Sequence, residues 1–243
     1  MQDEALADHY RKREKEHPIA RYRLGDAVRV KPGTACPGAP QLDISGWQGR
    51  VTDLSQANDD SDPMIGFAWD SLSLRAMPAW FIEDCERKGL GWSTMYLYLS
   101  EIEAAEPRDT ERDVARVQEE IAARFGWLGI GPEGEHIQEV VNTAEDSTDE
   151  WSVMLAWEEH LRHNLEFPFE AEIYEFQEYG PLQAGDRLTA LGIEDVDDLY
   201  GVIVSCRRGR RRYDCPLADL AAVDESSPNA QLVQNYRVWF ANR

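Results

Sequence analysis

Short segments of alternating apolar and polar residues, each following a glycine-containing turn, recur in both halves of this 243-residue chain. In the first half, the Gly25-Asp26 turn leads into an alternating segment at 27–30, and residues 47–54 form a second one. Residues 64–78 are expected to supply a third strand and a candidate fourth. Such alternation predicts strands with one buried face, because successive side chains of a strand point to opposite faces. Several short strands at near-regular spacing are typical of a small antiparallel barrel.

The periodicity changes from residue 109 onward, where apolar residues recur at spacings of three and four. This spacing predicts a helix over 109–125, since residues three and four apart share one helical face. The final segment predicts another helix, with Ser227 as N-cap and Pro228 at the first helical position. The apolar stripes are Val114, Val117, Ile121 and Phe125; Met154, Trp157, Leu161 and Leu165; and Leu232, Val233, Tyr236, Trp239 and Phe240.

Together these patterns predict an α+β protein that is mainly β, with two small SH3-like β-barrels and connecting and C-terminal helices. The second barrel is predicted because Gly185-Asp186 and the strand-like segment after it resemble the Gly25-Asp26 region. The predicted domains are an N-terminal barrel with a polar arm (1–108), a linker helix with a glycine-rich loop (109–138), and a second domain (139–243) with a helix, a small barrel and a C-terminal helix.

The chain is strongly acidic, with 46 Asp and Glu against 25 Lys and Arg and a formal net charge of -21. This balance argues against a nucleic-acid or membrane partner, because phosphate binding needs a basic surface. It permits cation binding or docking onto a basic partner. The four cysteines form no C-x-x-C pair, and no signal-peptide or transmembrane pattern occurs, so we expect free thiols and a cytoplasmic protein.

The densest acidic stretch has four carboxylates in five residues: Glu194, Asp195, Asp197 and Asp198. Calcium prefers six to eight oxygen ligands, and such a segment supplies many of them. An EF-hand is excluded, because a loop starting at Asp195 would place Leu199 and Tyr200 at positions five and six. The residues alone leave open whether this stretch is a metal site or a solvated acidic loop.

A basic run follows, with Arg207, Arg208 and 210–212 around Gly209. Glycine between two strand-like segments predicts a hairpin tip. In so acidic a chain, we expect these arginines to pair with nearby carboxylates rather than to bind nucleic acid. His160 and His163 could share zinc, but no third ligand is evident, and a polar helical face is favoured. No catalytic motif is present, so the chain is predicted to be non-enzymatic.

The second half resembles the small acidic calcium-binding proteins of the cyanobacterial type, over about residues 139–242. The resemblance rests on a helix with spaced Trp and Leu, an FPF motif, a PL..GD motif, an acidic insert, an apolar strand, a second PL motif and a terminal aromatic helix. The corresponding residues are Trp157, Leu161, Leu165, 167–169, Pro181-Leu182, Gly185-Asp186, 194–198, 202–204, Pro216-Leu217, Leu220, Asp224, Tyr236 and Trp239.

This resemblance implies a Ca2+-binding protein that buffers or senses calcium through clustered carboxylates. We expect the four carboxylates of the acidic insert to bind the ion, with Glu158 or Asp224 completing the shell. In the family an aspartate can follow the VV pair where this chain has Asn142, which keeps an oxygen and loses a charge. The alternative hypothesis is an acidic protein–protein interaction module, an inhibitor or immunity-type protein that docks a basic partner.

Overall fold

A computed structural model describes residues 18–54, 62–175 and 181–243. The predicted polar arm covers residues 1 to about 20, and its first 17 residues lie outside the described residues. The chain divides into two compact units, residues 1–121 and 122–243. This division falls inside the predicted linker at 109–138, where the predicted helix is present at Glu111–Phe125.

The first unit is built on a five-stranded antiparallel sheet with the order β6-β5-β4-β1-β7. A separate hairpin and two helices interrupt the sequence of strands. The strands are β1 (Ala27–Val30), β2 (Ala35–Cys36), β3 (Ala39–Asp43), β4 (Gln48–Asp53), β5 (Met64–Trp69), β6 (Thr94–Tyr98) and β7 (Ile102–Ala104), and the helices are α1 (Ser71–Ala76), α2 (Ala79–Lys88) and α3 (Glu111–Phe125), which continues into the second unit.

A buried polar group organises the junction between β5 and α1. Asp70 is almost fully buried, and its Oδ1 accepts a hydrogen bond of 2.7 Å from the Ser73 amide, which caps α1. Its other oxygen accepts a 2.5 Å bond from Arg108 Nε. Burying a carboxylate is costly unless it is paired and hydrogen-bonded, and both conditions are met here.

The second unit is built on another five-stranded antiparallel sheet, with the order β11-β10-β9-β8-β12. Three helices accompany it. The strands are β8 (Phe169–Ile173), β9 (Arg187–Asp197), β10 (Gly201–Arg208), β11 (Arg211–Pro216) and β12 (Leu220–Ala222), and the helices are α4 (Pro132–Val141), α5 (Glu150–Asn164) and α6 (Pro228–Asn242).

The core of the second unit combines the apolar face of this sheet with the aromatic stripe of α6. Tyr236 is fully buried and lies in ring contact with Trp157 of α5 and Trp239. Its hydroxyl accepts a 2.8 Å hydrogen bond from the Val202 amide of β10. The predicted helical stripes at 154–165 and 232–240 are therefore core surfaces, and Ser227 caps α6 as expected, accepting from the Ala230 amide.

The α+β class is confirmed, and neither sheet forms a closed barrel among the described residues. Within the described ranges, the outer strands β6 and β7 pair only with β5 and β1, and in the second unit β11 and β12 pair only with β10 and β8. In each unit a single 3-10 turn joins the fourth strand to the fifth. The SH3-like assignment stays a prediction.

The two units share one strand order, in which the fifth strand returns to pair with the first. The Gly-Asp turns, however, do not occupy equivalent places. Gly25-Asp26 precedes the first strand of its sheet, β1, whereas Gly185-Asp186 precedes the second strand of its sheet, β9. The two segments that the sequence comparison aligned therefore precede non-equivalent strands, one position apart in strand order.

Two further predictions differ from the structure. Residues 71–76, considered as a fourth strand, form α1, and the predicted glycine-rich loop contains a 3-10 helix at Gly126–Ile130 and then α4. Gly131 at φ 85° allows the tight reversal between them. The cysteines are buried free thiols, as predicted. No helix within the described residues is long and apolar enough to span a membrane.

Candidate functional site

The acidic stretch is a hairpin rather than a loop, and we call residues 194–198 the acidic hairpin. Strand β9 extends to Asp197, so only residues 198–200 form the turn into β10. The register pairs Ile203 with Asp195 and Val204 with Ile193, which leaves Glu194 as the extra residue of a bulge. A rigid ladder therefore positions most of these carboxylates.

Two of the four carboxylates of the acidic hairpin, Asp195 and Asp197, accept hydrogen bonds from nearby backbone amides. Asp197 Oδ1 accepts from the amides of Leu199 and Tyr200 at 2.9 and 2.8 Å, which closes the turn. Asp195 Oδ1 accepts from the Val196 amide at 2.9 Å. None of the four forms an ion pair within the part of the chain that the structure describes.

Gly201 fixes the acidic hairpin against α6. Its φ is 70°, and an added Cβ would lie 2.2 Å from the Tyr236 hydroxyl and 2.4 Å from a ring carbon of Phe240. Only glycine adopts this positive φ without strain and leaves room for the Tyr236 and Phe240 side chains. The hairpin is thus set by the close approach of its backbone to a buried aromatic cluster.

Glu158 lies on α5 and is already paired. Its carboxylate accepts from Arg162 Nε at 2.8 Å, and Arg162 also donates to the Ile193 carbonyl at 3.1 Å, next to the bulge. The helix therefore contacts β9 at the acidic hairpin, as a shared site would require. Because Glu158 is already paired with Arg162, it can bind a metal only if that ion pair opens.

Asp224 lies at the other end of α6. It precedes the helix, and the Ser226 hydroxyl and amide hold the pKa of the Asp224 carboxyl below its usual value. At the opposite end of α6, Arg243 donates to the carbonyls of Asp198 and Leu199. A 15-residue helix spans about 22 Å at 1.5 Å per residue, so the structure does not bring Asp224 to the acidic hairpin.

The side chains of the acidic hairpin do not converge on one point. Within residues 18–54, 62–175 and 181–243, no three carboxylate, histidine or cysteine side chains are grouped so that they could hold a metal ion. His160 and His163 do not converge either, since His163 Nδ1 contacts the Glu159 carbonyl at 2.7 Å and His160 Nδ1 lies 3.5 Å from the Asn164 amide.

A cavity of about 410 Å³ lies beside His160, between α4, α5 and α6. His136 and Glu139 of α4 line it together with Trp157. Burial lowers the pKa of His160, with Glu139 acting in the opposite direction and His136 and His163 in the same one. The cavity is distinct from the acidic hairpin and was not predicted, because its lining comes from three separate helices.

Comparisons with known proteins assign the second unit. The model of the family Calci_bind_CcbP, described as calcium binding, matches residues 136–240. The C-terminal half of the chain therefore matches the CcbP calcium-binding family. This confirms the resemblance predicted above and calcium as the ion of the family, and the matched range contains the acidic hairpin, Glu158 and Asp224.

Two solved structures show similarity to part of the chain. One, described as a calcium binding protein in the calcium-binding form, is 21% identical, with 45% of this chain and 90% of that chain covered and a TM-score of 0.38. The other is the crystal structure of Anabaena CcbP, 22% identical, with 44% of this chain and 90% of that chain covered and a TM-score of 0.37. A search of curated proteins finds no match.

Proposed function

We propose that the CcbP-type unit binds Ca2+ at the acidic hairpin and that the protein buffers or senses calcium in the cytoplasm without a catalytic step. The observation that carries the proposal is the set of four carboxylates inside the family match, none of which is neutralised by an ion pair within the described residues. Unneutralised carboxylates in such density repel one another, and a divalent cation relieves that repulsion.

The geometry of the acidic hairpin suits a calcium ion better than a magnesium ion. Asp195 and Asp197 lie on the same face of β9, about 7 Å apart along the strand, which is within reach of one ion between them. Asp197 keeps its second carboxylate oxygen outside the turn hydrogen bonds. Calcium accepts irregular sets of six to eight oxygens, including water, whereas magnesium demands near-ideal octahedral geometry.

The remaining ligands would come from neighbours of the hairpin. Glu194 at the bulge and Asp198 at the turn flank the central pair, and side-chain rotation brings their carboxylates toward the same ion. Glu158 is a further candidate ligand, and it joins the shell only when Arg162 is displaced. Calcium binding should therefore weaken the contact between Arg162 and the Ile193 carbonyl.

The test is isothermal titration calorimetry with Ca2+ on the full chain and on Asp195→Asn/Asp197→Asn/Asp198→Asn. Asparagine at 197 keeps the oxygen that closes the turn, so the variant removes charge while retaining the hairpin. The matched control is Glu133→Gln/Glu145→Gln/Glu225→Gln, which removes three exposed carboxylates elsewhere in the second unit.

We expect the calcium affinity to fall at least 10-fold in the hairpin variant and to stay within about twofold of wild type in the control, since fewer charged ligands weaken a calcium site. Absence of calcium-dependent heat in the wild type would overturn the calcium function. Unchanged binding in the hairpin variant would overturn only the assignment of this site.

The unneutralised carboxylates also support a second candidate function, docking of a basic protein partner. Electrostatic association of that kind would be fast and would weaken steeply with ionic strength. Calcium and a basic partner would compete for the same charges. A partner recovered by pull-down with equal yield in Ca2+ and in chelator, together with no heat of calcium binding, would favour docking.

A further inference from the structure

The hairpin between β10 and β11 carries the densest positive charge of the chain, and we call Arg207, Arg208 and 210–212 the arginine tip. Gly209, at φ 61°, and Arg210 form its two-residue turn, a glycine-first pattern that matches the twist of the strands. The predicted hairpin is confirmed. All five arginines are exposed.

The expectation that carboxylates of the same chain would neutralise these arginines is met only for Arg208. Its guanidinium donates to Asp186 at 2.5 and 2.7 Å in a bidentate pair. The other four have no ion pair or side-chain hydrogen bond to any part of the chain that the structure describes. For the other four the expectation was wrong: Asp214, the nearest acidic residue in sequence, forms no ion pair with them among the described residues, and the acidic hairpin lies at the far end of β10, about 26 Å away along eight residues.

The register of the arginine tip places like charges directly opposite each other. Arg207 pairs with Arg212, and Arg208 pairs with Arg211. Like charges in directly opposed positions destabilise a hairpin. These side chains are exposed, so no burial of apolar surface offsets the repulsion between them. The arrangement is destabilising unless an external anion lies between the guanidinium groups.

We propose that the arginine tip binds the phosphate backbone of duplex DNA. Its free two-stranded end, residues 208–211, would enter the major groove, because β10 is paired with β9 only up to Arg207. Because side chains alternate along a strand, Arg207 and Arg212 lie on one face of the ribbon and Arg208 and Arg211 on the other, with Arg210 at the end. Guanidinium forks on both faces match a groove with a phosphate row on either side. The B-form major groove admits a two-stranded ribbon. A flat acidic protein surface would engage only one face.

The net charge of -21 restricts this contact to the tip but does not prevent it. At physiological salt the Debye length is about 8 Å, so carboxylates farther away are largely screened. Residues 207–214 contain five arginines and one carboxylate, Asp214, and Asp186 neutralises Arg208. The local charge is therefore +3. The sequence argument against a broad nucleic-acid surface remains valid, and the proposal concerns a narrow one.

The experiment is fluorescence anisotropy of a labelled 20-base-pair duplex with the full chain, repeated between 50 and 200 mM salt. Four phosphate contacts predict a slope of log affinity against log salt of about -3.6. The test variant is Arg207→Gln/Arg210→Gln/Arg211→Gln/Arg212→Gln. The control is Arg23→Gln/Arg112→Gln/Arg116→Gln/Arg124→Gln, which has the same change in net charge at other exposed arginines.

We expect duplex binding to be lost in the tip variant and retained in the control, with the unfolding midpoint of the tip variant equal to or above that of wild type because like charges have been removed. No binding at 50 mM salt would overturn the proposal, as would equal loss in both variants. Binding of polyglutamate with no binding of the duplex would overturn it in favour of an acidic protein partner.

Discussion

Replacement of Gly201 by alanine tests how the acidic hairpin is held in place. Three costs combine at this position. A residue other than glycine at φ 70° costs about 1–2 kcal/mol. The added carbon would lie 2.2 Å from the Tyr236 hydroxyl, and overpacking in a tight core costs about 1–3 kcal/mol. Displacing Tyr236 from the Val202 amide loses a buried hydrogen bond worth about 1 kcal/mol.

These terms sum to roughly 3–5 kcal/mol, allowing for their overlap. The assay is urea unfolding followed by hydrogen exchange in peptides covering Val202 and Tyr236, which reports on the second unit by itself. We expect both peptides to lose protection at much lower urea than in the wild type. The calcium titration repeated on Gly201→Ala should show weakened binding, because the turn that carries Asp197 and Asp198 must move.

Gly209→Ala is the matched control. Gly209 has a similar φ of 61°, but nothing lies within 4 Å of an added Cβ. Only the backbone cost of about 1–2 kcal/mol applies there. If the two alanine variants were equally stable, the close contact with Tyr236 would contribute nothing and the reasoning about the hairpin anchor would fail.

Two further predictions concern stability. Asp70→Ala should cost the first unit about 3 kcal/mol, because it removes a helix cap and leaves the half-buried Arg108 without its partner. The control Asp84→Ala, at an exposed pair with Lys88, should cost less than 1 kcal/mol. Equal urea unfolding midpoints for the two variants would contradict this prediction. Burial lowers the pKa of His160 below 6.5, so the unfolded chain binds the proton more readily than the folded chain. The free energy of unfolding is therefore at its full value above pH 6.5 and decreases as the pH falls below it. The unfolding free energy of His160→Gln should therefore depend less on pH between 7.5 and 5.5 than that of the wild type, and identical slopes would contradict the assignment.

The helices show where local sequence was sufficient. The stripe at 154–165 and the Ser227-Pro228 start predicted α5 and α6 closely, since apolar spacing and capping are local properties. The prediction of a strand at 71–76 was wrong because a short apolar run fits either a strand or a helix. Asp70 decides for a helix by capping it, but only once Arg108, 38 residues away, stabilises the buried carboxylate.

The repeat shows how a real relation can be assigned to the wrong residues. The Gly-Asp turns suggested two similar units, yet they precede different strands of their sheets. A better local signal was present in the fourth-to-fifth strand connection, where Leu99-Ser-Glu-Ile and Leu217-Ala-Asp-Leu both form a 3-10 turn before the closing strand. Gly-Asp turns are common before strands, so they specify a turn but not its place in a sheet.

The sequence by itself determined helices α5 and α6, the acidity and the family pattern of the second half, because each depends on local spacing, composition or a linear motif. Tertiary structure decided which charges remain unpaired. It placed Asp224 at the far end of α6 from the acidic hairpin, gave Glu158 a partner in Arg162, and left four arginines of the tip without a partner among the described residues. Charge pairing depends on distances of a few ångströms between residues far apart in the chain, and no local pattern encodes them.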